Sequence, residues 1–149
     1  MKIIRITTEE ELRTAKQIRI RVFVEEQQVP PELEMDEYDE TPGSANHMLI
    51  LDGMIPAATG RFVEYDRDTA KLQRIAVMQP YRGKGVGREL VLALEAWAAE
   101  KGYKASLLDA QCQAEGFYGK LGYKKVSDEI FLDAGIEHVR MKKTLYSKV

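Results

Sequence analysis

Seven consecutive residues, Arg82-Gly83-Lys84-Gly85-Val86-Gly87-Arg88, constrain this chain more than any other segment: three glycines and three cations stand between a strand pattern and a helix pattern. The strand pattern is Thr69 to Met78. The helix pattern is the recurrence of Val86, Leu90, Leu94 and Trp97, stopping at Lys101 and Gly102 with the expected cation and glycine. The first N–H groups of such a helix lack intrahelical partners and sit at the positive end of its dipole, so the main chain alone can bond an anion placed there. Glycine lets a diphosphate approach closely, and Arg82, Lys84 and Arg88 add local positive charge. A strand feeding a ligand-holding helix start requires a sheet with helices packed on it.

Three phosphate-binding signatures differ in the spacing they demand. A P-loop needs GxxxxGK followed by Ser or Thr, which is absent. A dinucleotide fingerprint needs GxGxxG, yet Gly83 and Gly85 are followed at the last position by Arg88. Asp109 does stand near the usual ~20-residue offset of a ribose-binding acid, which keeps a Rossmann-type nucleotide enzyme as an alternative. The remaining pattern, RxxGxG, is met by Arg82, Gly85 and Gly87, and it resembles the coenzyme A turn of the GNAT acetyltransferases.

A second constellation runs from Gln111 to Tyr123, QCQAEGFYGKLGY, and resembles the later GNAT motif NxxAxxFYxxxGF. Gln111 stands where the pattern usually has Asn, and Tyr123 where it usually has Phe. Helical spacing puts Ala114, Phe117 and Leu121 on one face as core and Gln111, Glu115 and Tyr118 on another. The segments Arg21 to Asp39 and GIEHVRM are similar to the ElaA/YjcF-like branch of the same family, so the resemblance covers nearly the whole chain.

The pattern of elements agrees with that family. Lys2 to Ile6 alternates as a strand, and Thr8 with Glu11 forms a capping box opening a helix that carries Leu12, Ala15, Ile18 and Val22 on one face. Glu25 to Gly43, with three prolines, reads as a helical turn and a long loop. His47 to Leu51 and Met54 to Val63 flank Asp52-Gly53 as a tight antiparallel hairpin. In the next strand Leu72 fits one phase of alternation while Ile75 and Val77 fit the other, which predicts a bulge near Arg74 to Ala76. Ala105 to Leu108, Tyr123 to Val126 and Glu137 to Lys142 read as further strands, and Gln113 to Leu121 as a short helix. The expected fold class is α/β (α+β): a mixed sheet of roughly six to seven strands with about four helices. The resemblance implies that its central strands splay apart.

Composition narrows the partners. A chain of 149 residues is expected to form one domain over positions 1–149. A formal charge of −2, from 22 basic and 24 acidic residues, supplies no global field for nucleic acid or an anionic membrane. The amino-terminal stretch turns acidic at once, with no readable signal or anchor, so cytoplasmic residence is expected. Cys112 is the only cysteine, and with two histidines in the chain no metal site is expected. Cys112 has no sequence partner that would activate it as an acyl carrier.

By resemblance, acetyl-CoA is the cosubstrate. The backbone of Ile75, Ala76 and Val77 pairs with pantetheine, residues Arg82, Gly83, Lys84, Gly85, Val86, Gly87 and Arg88 hold the diphosphate, and Gln111 lies beside the pantetheine chain. Tyr118 is the implied general acid for the departing sulfur, a role suited to a phenol whose free pKa of about 10 keeps it protonated at neutral pH. The acceptor, a small-molecule amine or a protein amine, arrives protonated, so a base and an attracting charge are needed. Candidates are Glu34, Asp36, Asp39, Glu64 and Asp109, with His47 and His138 as pocket histidines. The functional alternative of another class is a non-catalytic acyl-CoA binder; a monomer or a homodimer fits either.

Overall fold

The computed structural model describes residues 1–145. Seven strands, β1 (Lys2–Arg5), β2 (Asn46–Asp52), β3 (Ile55–Asp66), β4 (Thr69–Val77), β5 (Ala105–Gln111), β6 (Lys124–Asp133) and β7 (Ile136–Thr144), form one sheet in the spatial order β1-β2-β3-β4-β5-β7-β6. Every neighbouring pair is antiparallel except β4 and β5. Helices α1 (Glu9–Arg19), α2 (Pro31–Glu34), α3 (Val86–Glu100) and α4 (Glu115–Lys120) complete the mixed α/β plan that the sequence predicts. Among the described residues no helix is long and apolar enough to cross a membrane.

Alternation along β2 explains how two helices cover two faces. Met48 and Ile50 join the core beneath α3, whereas Leu49 between them joins the core beneath α1. The capping box of Thr8 and Glu11 is formed as predicted, and it aims Leu12, Ala15, Ile18 and, one turn on, Val22 into that second core. On the other face Val86, Leu90, Val91, Leu94 and Ala98 are buried against Phe62, Leu72 and Leu108. Gly60 lets α3 settle closely, since a Cβ there would stand 3.0 Å from Cδ1 of Leu94. Truncating fully buried Leu94 to alanine is expected to lower the unfolding free energy by about 2–5 kcal/mol, measured by urea denaturation.

Four boundaries differ from the sequence reading. The hairpin turn is Gly53-Met54 rather than Asp52-Gly53, because Asp52 still pairs with Ile55 and only Gly53 takes the positive φ of 63°. β5 continues through Asp109 to Gln111, paired all along with β7. β6 does not end at Val126 but runs to Asp133, and its pairing with β7 slips between Lys125 and Ile130. That slip holds polar Ser127, Asp128 and Glu129 on a sheet edge, where no buried face enforces alternation. Helix α1 also runs on into π-helical turns over Ile20–Glu26, a geometry that apolar spacing alone does not announce.

Candidate active site

The bulge expected between Arg74 and Ala76 is present, and it determines where the sheet opens. Thr59 pairs with Ala76 and Arg61 with Gln73, so β4 carries one residue more than β3 across this step, and Arg74 takes a φ of 56°. Pairing with β5 covers only Thr69–Leu72 against Ala105–Leu108. Beyond Leu72, β4 keeps β3 as partner while β5 keeps β7, and the facing edges of the two parallel strands separate. The gap is a cavity of about 350 Å³, with Leu72, Ile75, Leu108, Gln111 and Tyr118 among its walls.

The glycine turn lies at the carboxyl end of the same strand. Gly83 and Gly85 have φ angles of 74° and 83°, a region that side chains with a Cβ enter at a penalty. Gly85 is the N-cap of α3, and no side chain caps that end. Gly87 answers to space: a Cβ there would lie 3.4 Å from Cζ of Phe117 and 3.5 Å from Cγ2 of Val77. One of the three predicted cations departs from the expected role. The Arg82 guanidinium donates to the Val77 carbonyl at 2.9 Å and to Oε1 of Glu26 at 2.6 Å, so among the described residues the turn's uncommitted cations are Lys84 and Arg88.

Tyr118 is only 9% exposed and belongs to the core, while Phe117 is the partly exposed member of the pair. The face assignment from helical spacing holds for Ala114 and Leu121, which pack against the core, but Phe117 and Tyr118 are exchanged: α4 is short, and Phe117 rests on Gly87 at its edge rather than turning inward. The Tyr118 ring packs edge-on against Phe117 and Tyr123, yet its hydroxyl has no hydrogen-bond partner among the described residues. No side-chain oxygen or nitrogen is both buried and unpartnered among those residues. The hydroxyl therefore reaches accessible space, which at this position is the cavity. Burial pushes the phenol up to about 12, so it remains a proton donor throughout the neutral range.

Of the acceptor-site candidates, Glu34, Asp109 and His138 line the cavity; Asp36, Asp39, His47 and Glu64 do not. Asp36 and Asp39 belong to an ion network. Arg19 and Arg61, each 1% exposed, bond Asp39 at 2.5 and 3.0 Å, Arg61 also bonds Asp36 at 2.7 Å, and Arg19 bonds Glu34 at 3.2 Å. Arg74, the bulge residue, joins through Glu34 and Asp36 at 3.3 and 3.4 Å. Burial alone would raise the Asp39 carboxyl, but Arg19 and then Arg61 hold it well below the usual carboxylate range. For Glu34 burial prevails, and its carboxyl lies above its ordinary value despite Arg19 and Arg74. His47 is buried behind this network with Nε2 at 2.7 Å from the Tyr38 carbonyl, and burial lowers its pKa. Glu64 accepts from the Tyr103 hydroxyl at 3.0 Å, away from the cavity.

Asp109 faces Arg140 directly across the β5–β7 pair and bonds it at 2.9 Å, with Lys71 at 3.3 Å on its other side. Burial raises this carboxyl, and the two cations more than offset that, so it stays ionised well into acid. Gln111 accepts from Gln113 and donates to Oε1 of Gln27 at 2.8 Å, tying β5 to the segment after the π-helical turns. Cys112 is half-buried and free. Among the described residues no group of three His, Cys, Asp or Glu side chains could hold a metal ion.

Sequence reasoning missed the partners of the acids. Arg19 falls in phase with Leu12, Ala15 and Val22, and Arg61 in phase with buried Thr59 and Val63. A cation in register with an apolar set must be paired where it is buried, and that signal was readable. It also missed that Tyr123 replaces the usual phenylalanine for a reason: its hydroxyl donates to Glu95 at 2.8 Å and contacts Ser106 at 2.7 Å, while Lys143 bonds the same Glu95.

Residues 9–145 match the family model described as Acetyltransferase (GNAT) domain. The chain belongs to the GNAT acetyltransferases. Among its GNAT relatives, the uncharacterised N-acetyltransferase YjcF of Bacillus subtilis (strain 168) is 42% identical over 96% of this chain and 99% of its own length. Escherichia coli ElaA shares the fold with a TM-score of 0.80 at 24% identity, over 95% of this chain and 97% of that one. An aminoglycoside 6′-N-acetyltransferase complexed with coenzyme A does so with a TM-score of 0.76 at 17% identity, covering 100% and 99%. A Rossmann-type reading of this GNAT chain fails on topology, because the strand entering the glycine turn pairs antiparallel with its predecessor.

Proposed function

We propose that this GNAT acetyltransferase, acting as one domain in the cytosol, moves acetyl from acetyl-CoA to a primary amine by direct attack while both substrates are bound. One observation carries the reading: the free edge of β4 beyond Leu72 leads from the cavity holding the Tyr118 hydroxyl to the uncapped start of α3. A pantetheine arm laid along that edge adds a strand to β4, with Ile75, Ala76 and Val77 supplying main-chain bonds. The N–H groups at residues 83–88 then receive the diphosphate, aided by Lys84 and Arg88. Acetyl-CoA supplies an activated acyl group, and everything else asked of the chain is positioning and proton transfer.

In this reading main-chain donors at the β4 bulge polarise the thioester oxygen, where negative charge grows as the amine attacks. Tyr118 donates its proton to the leaving sulfur, and its high pKa keeps that proton available. No covalent acyl-enzyme is required, so Cys112 stands aside.

The test is a thiol-release assay with acetyl-CoA across a library of primary amines, run beside calorimetric titration of coenzyme A. The expected result is micromolar-range binding and thiol release with at least one amine class. Absence of coenzyme A binding would end the reading. Binding with no thiol release for any amine would assign the chain to the non-catalytic acyl-CoA binders.

A further inference from the structure

We infer that His138 is the base that takes the proton from the acceptor ammonium, an inference that rests on the acetyl-transfer reading above. Its ring is fixed twice. Nδ1 lies 2.7 Å from the Ile136 carbonyl, and since a carbonyl can only accept, Nδ1 carries the hydrogen. One ring face stacks on Phe131, with centroids 6.0 Å apart and planes at 24°. In the neutral imidazole this leaves the lone pair on Nε2. That atom has no partner among the described residues, and none of their side-chain nitrogens is both buried and unpartnered. His138 is 8% exposed and lines the same cavity as Tyr118, so Nε2 opens into it.

Of the other titratable groups facing this imidazole, the carboxylates of Asp109 and Glu34 are held in ion pairs. On β5, Asp109 is held by Arg140 of the histidine's own strand and by Lys71 of β4. On α2, Glu34 has one oxygen against Arg19 and the other against Arg74. On α4, Tyr118 is a donor. Asp133, at the end of β6, is exposed at the rim, and Glu137 lies on the solvent side of β7. Taking a proton on Asp109 means surrendering its ion pairs, and although burial raises the Glu34 carboxyl, a proton there would break its pairs with Arg19 and Arg74. His138 is the cavity-lining group whose basic ring nitrogen is left without a partner among the described residues.

The proton count closes. Nε2 takes one proton from R–NH3+, and the freed nitrogen pair forms the C–N bond to the acetyl carbon. As the C–S bond breaks, its electron pair goes to sulfur, which receives the Tyr118 proton. The new amide nitrogen gives up its second proton, restoring the phenol, and the imidazolium releases the first to water. The net products are the amide, the free thiol and one proton.

His138→Asn is the sharpest probe, because its amide N–H can still reach the Ile136 carbonyl while the base is gone. With an alkylamine acceptor, kcat/KM at pH 7 is expected to fall about 100-fold and to climb with rising pH toward the wild-type rate, while coenzyme A affinity is unchanged. A weakly basic amine, already neutral at pH 7, is expected to lose far less. Full activity of the variant with the alkylamine, or an equal loss for both amines, would overturn the assignment. The wild type gives a second reading that needs no variant. Across amines of graded basicity, the acid limb of its pH profile is expected to stay at one pH; a limb following each amine's own pKa would also overturn it. Wild-type enzyme releasing no thiol with any amine is a different result, one that removes the acetyl-transfer reading itself.

Discussion

Replacing Asp39 with alanine is expected to lower the unfolding free energy by about 3–5 kcal/mol, the usual consequence of removing one partner from a buried ion cluster. Asp39 accepts from both Arg19 and Arg61, and each of those arginines is almost wholly buried. Without the carboxylate two guanidinium groups lose a counter-charge where water cannot replace it. The loss should also depend on pH. The folded carboxyl sits well below its ordinary range, so as pH falls the unfolded chain takes up the proton first, near ~3.9. The stability this group contributes is complete above that value and is lost as pH falls toward the folded pKa. Urea titrations should therefore show a wide gap between wild type and Asp39→Ala at pH 7 and a narrower one at pH 3. Equal gaps at both pH values would show that packing, not charge, accounts for the loss.

That network also relates the fold to the cavity. Arg74 is both the bulge residue of β4 and the outermost arginine of the cluster, and its partner Glu34 is a wall of the cavity. The long segment before β2 is thereby pinned to the point where the sheet opens. Loosening Asp39 should disturb the acceptor side before it disturbs the glycine turn, which is built from α3 and the end of β4.

The parts of this architecture that are local were legible in the sequence. Gly83 and Gly85 announce positive φ, Thr8 and Glu11 announce a cap, and the phase slip between Leu72 and Ile75 announces a bulge, because each consequence falls within a few residues of its cause. The ion network was not, since its bonded partners are 15 to 40 positions apart and meet only after α1, α2, β3 and β4 have packed. The acids were noticed for their charge and assigned to solvent or acceptor; their partners lay hidden among apolar residues. The full length of β6 escaped for another reason. Ser127, Asp128 and Glu129 sit on an exposed edge, where neither alternation nor apolar content is demanded of a strand. His138 was visible as a lone histidine, but the Ile136 carbonyl that fixes its tautomer is a feature of the hairpin and not of residue type.

Tyr118→Phe should lower kcat by about 10²- to 10⁴-fold, the range attributed to a positioned general acid, while leaving the acetyl-CoA KM nearly unchanged. The geometry makes this variant unusually clean. The hydroxyl bonds nothing among the described residues, so its removal strands no partner, and the ring contacts with Phe117 and Tyr123 are kept. Unfolding free energy should stay within about 0.5 kcal/mol of wild type, and coenzyme A titration should give the same affinity. A drop in kcat with those two quantities fixed isolates proton donation from folding and binding. The pH profile adds an independent check. Burial places the phenol at about 12, so wild-type kcat should show no fall from phenol ionisation between pH 7 and pH 10. Thioesters whose leaving thiol is more acidic need less help from a donor, and the variant's deficit should shrink in step with that thiol's pKa. A deficit independent of the leaving group would mean that Tyr118 shapes the cavity without protonating the sulfur.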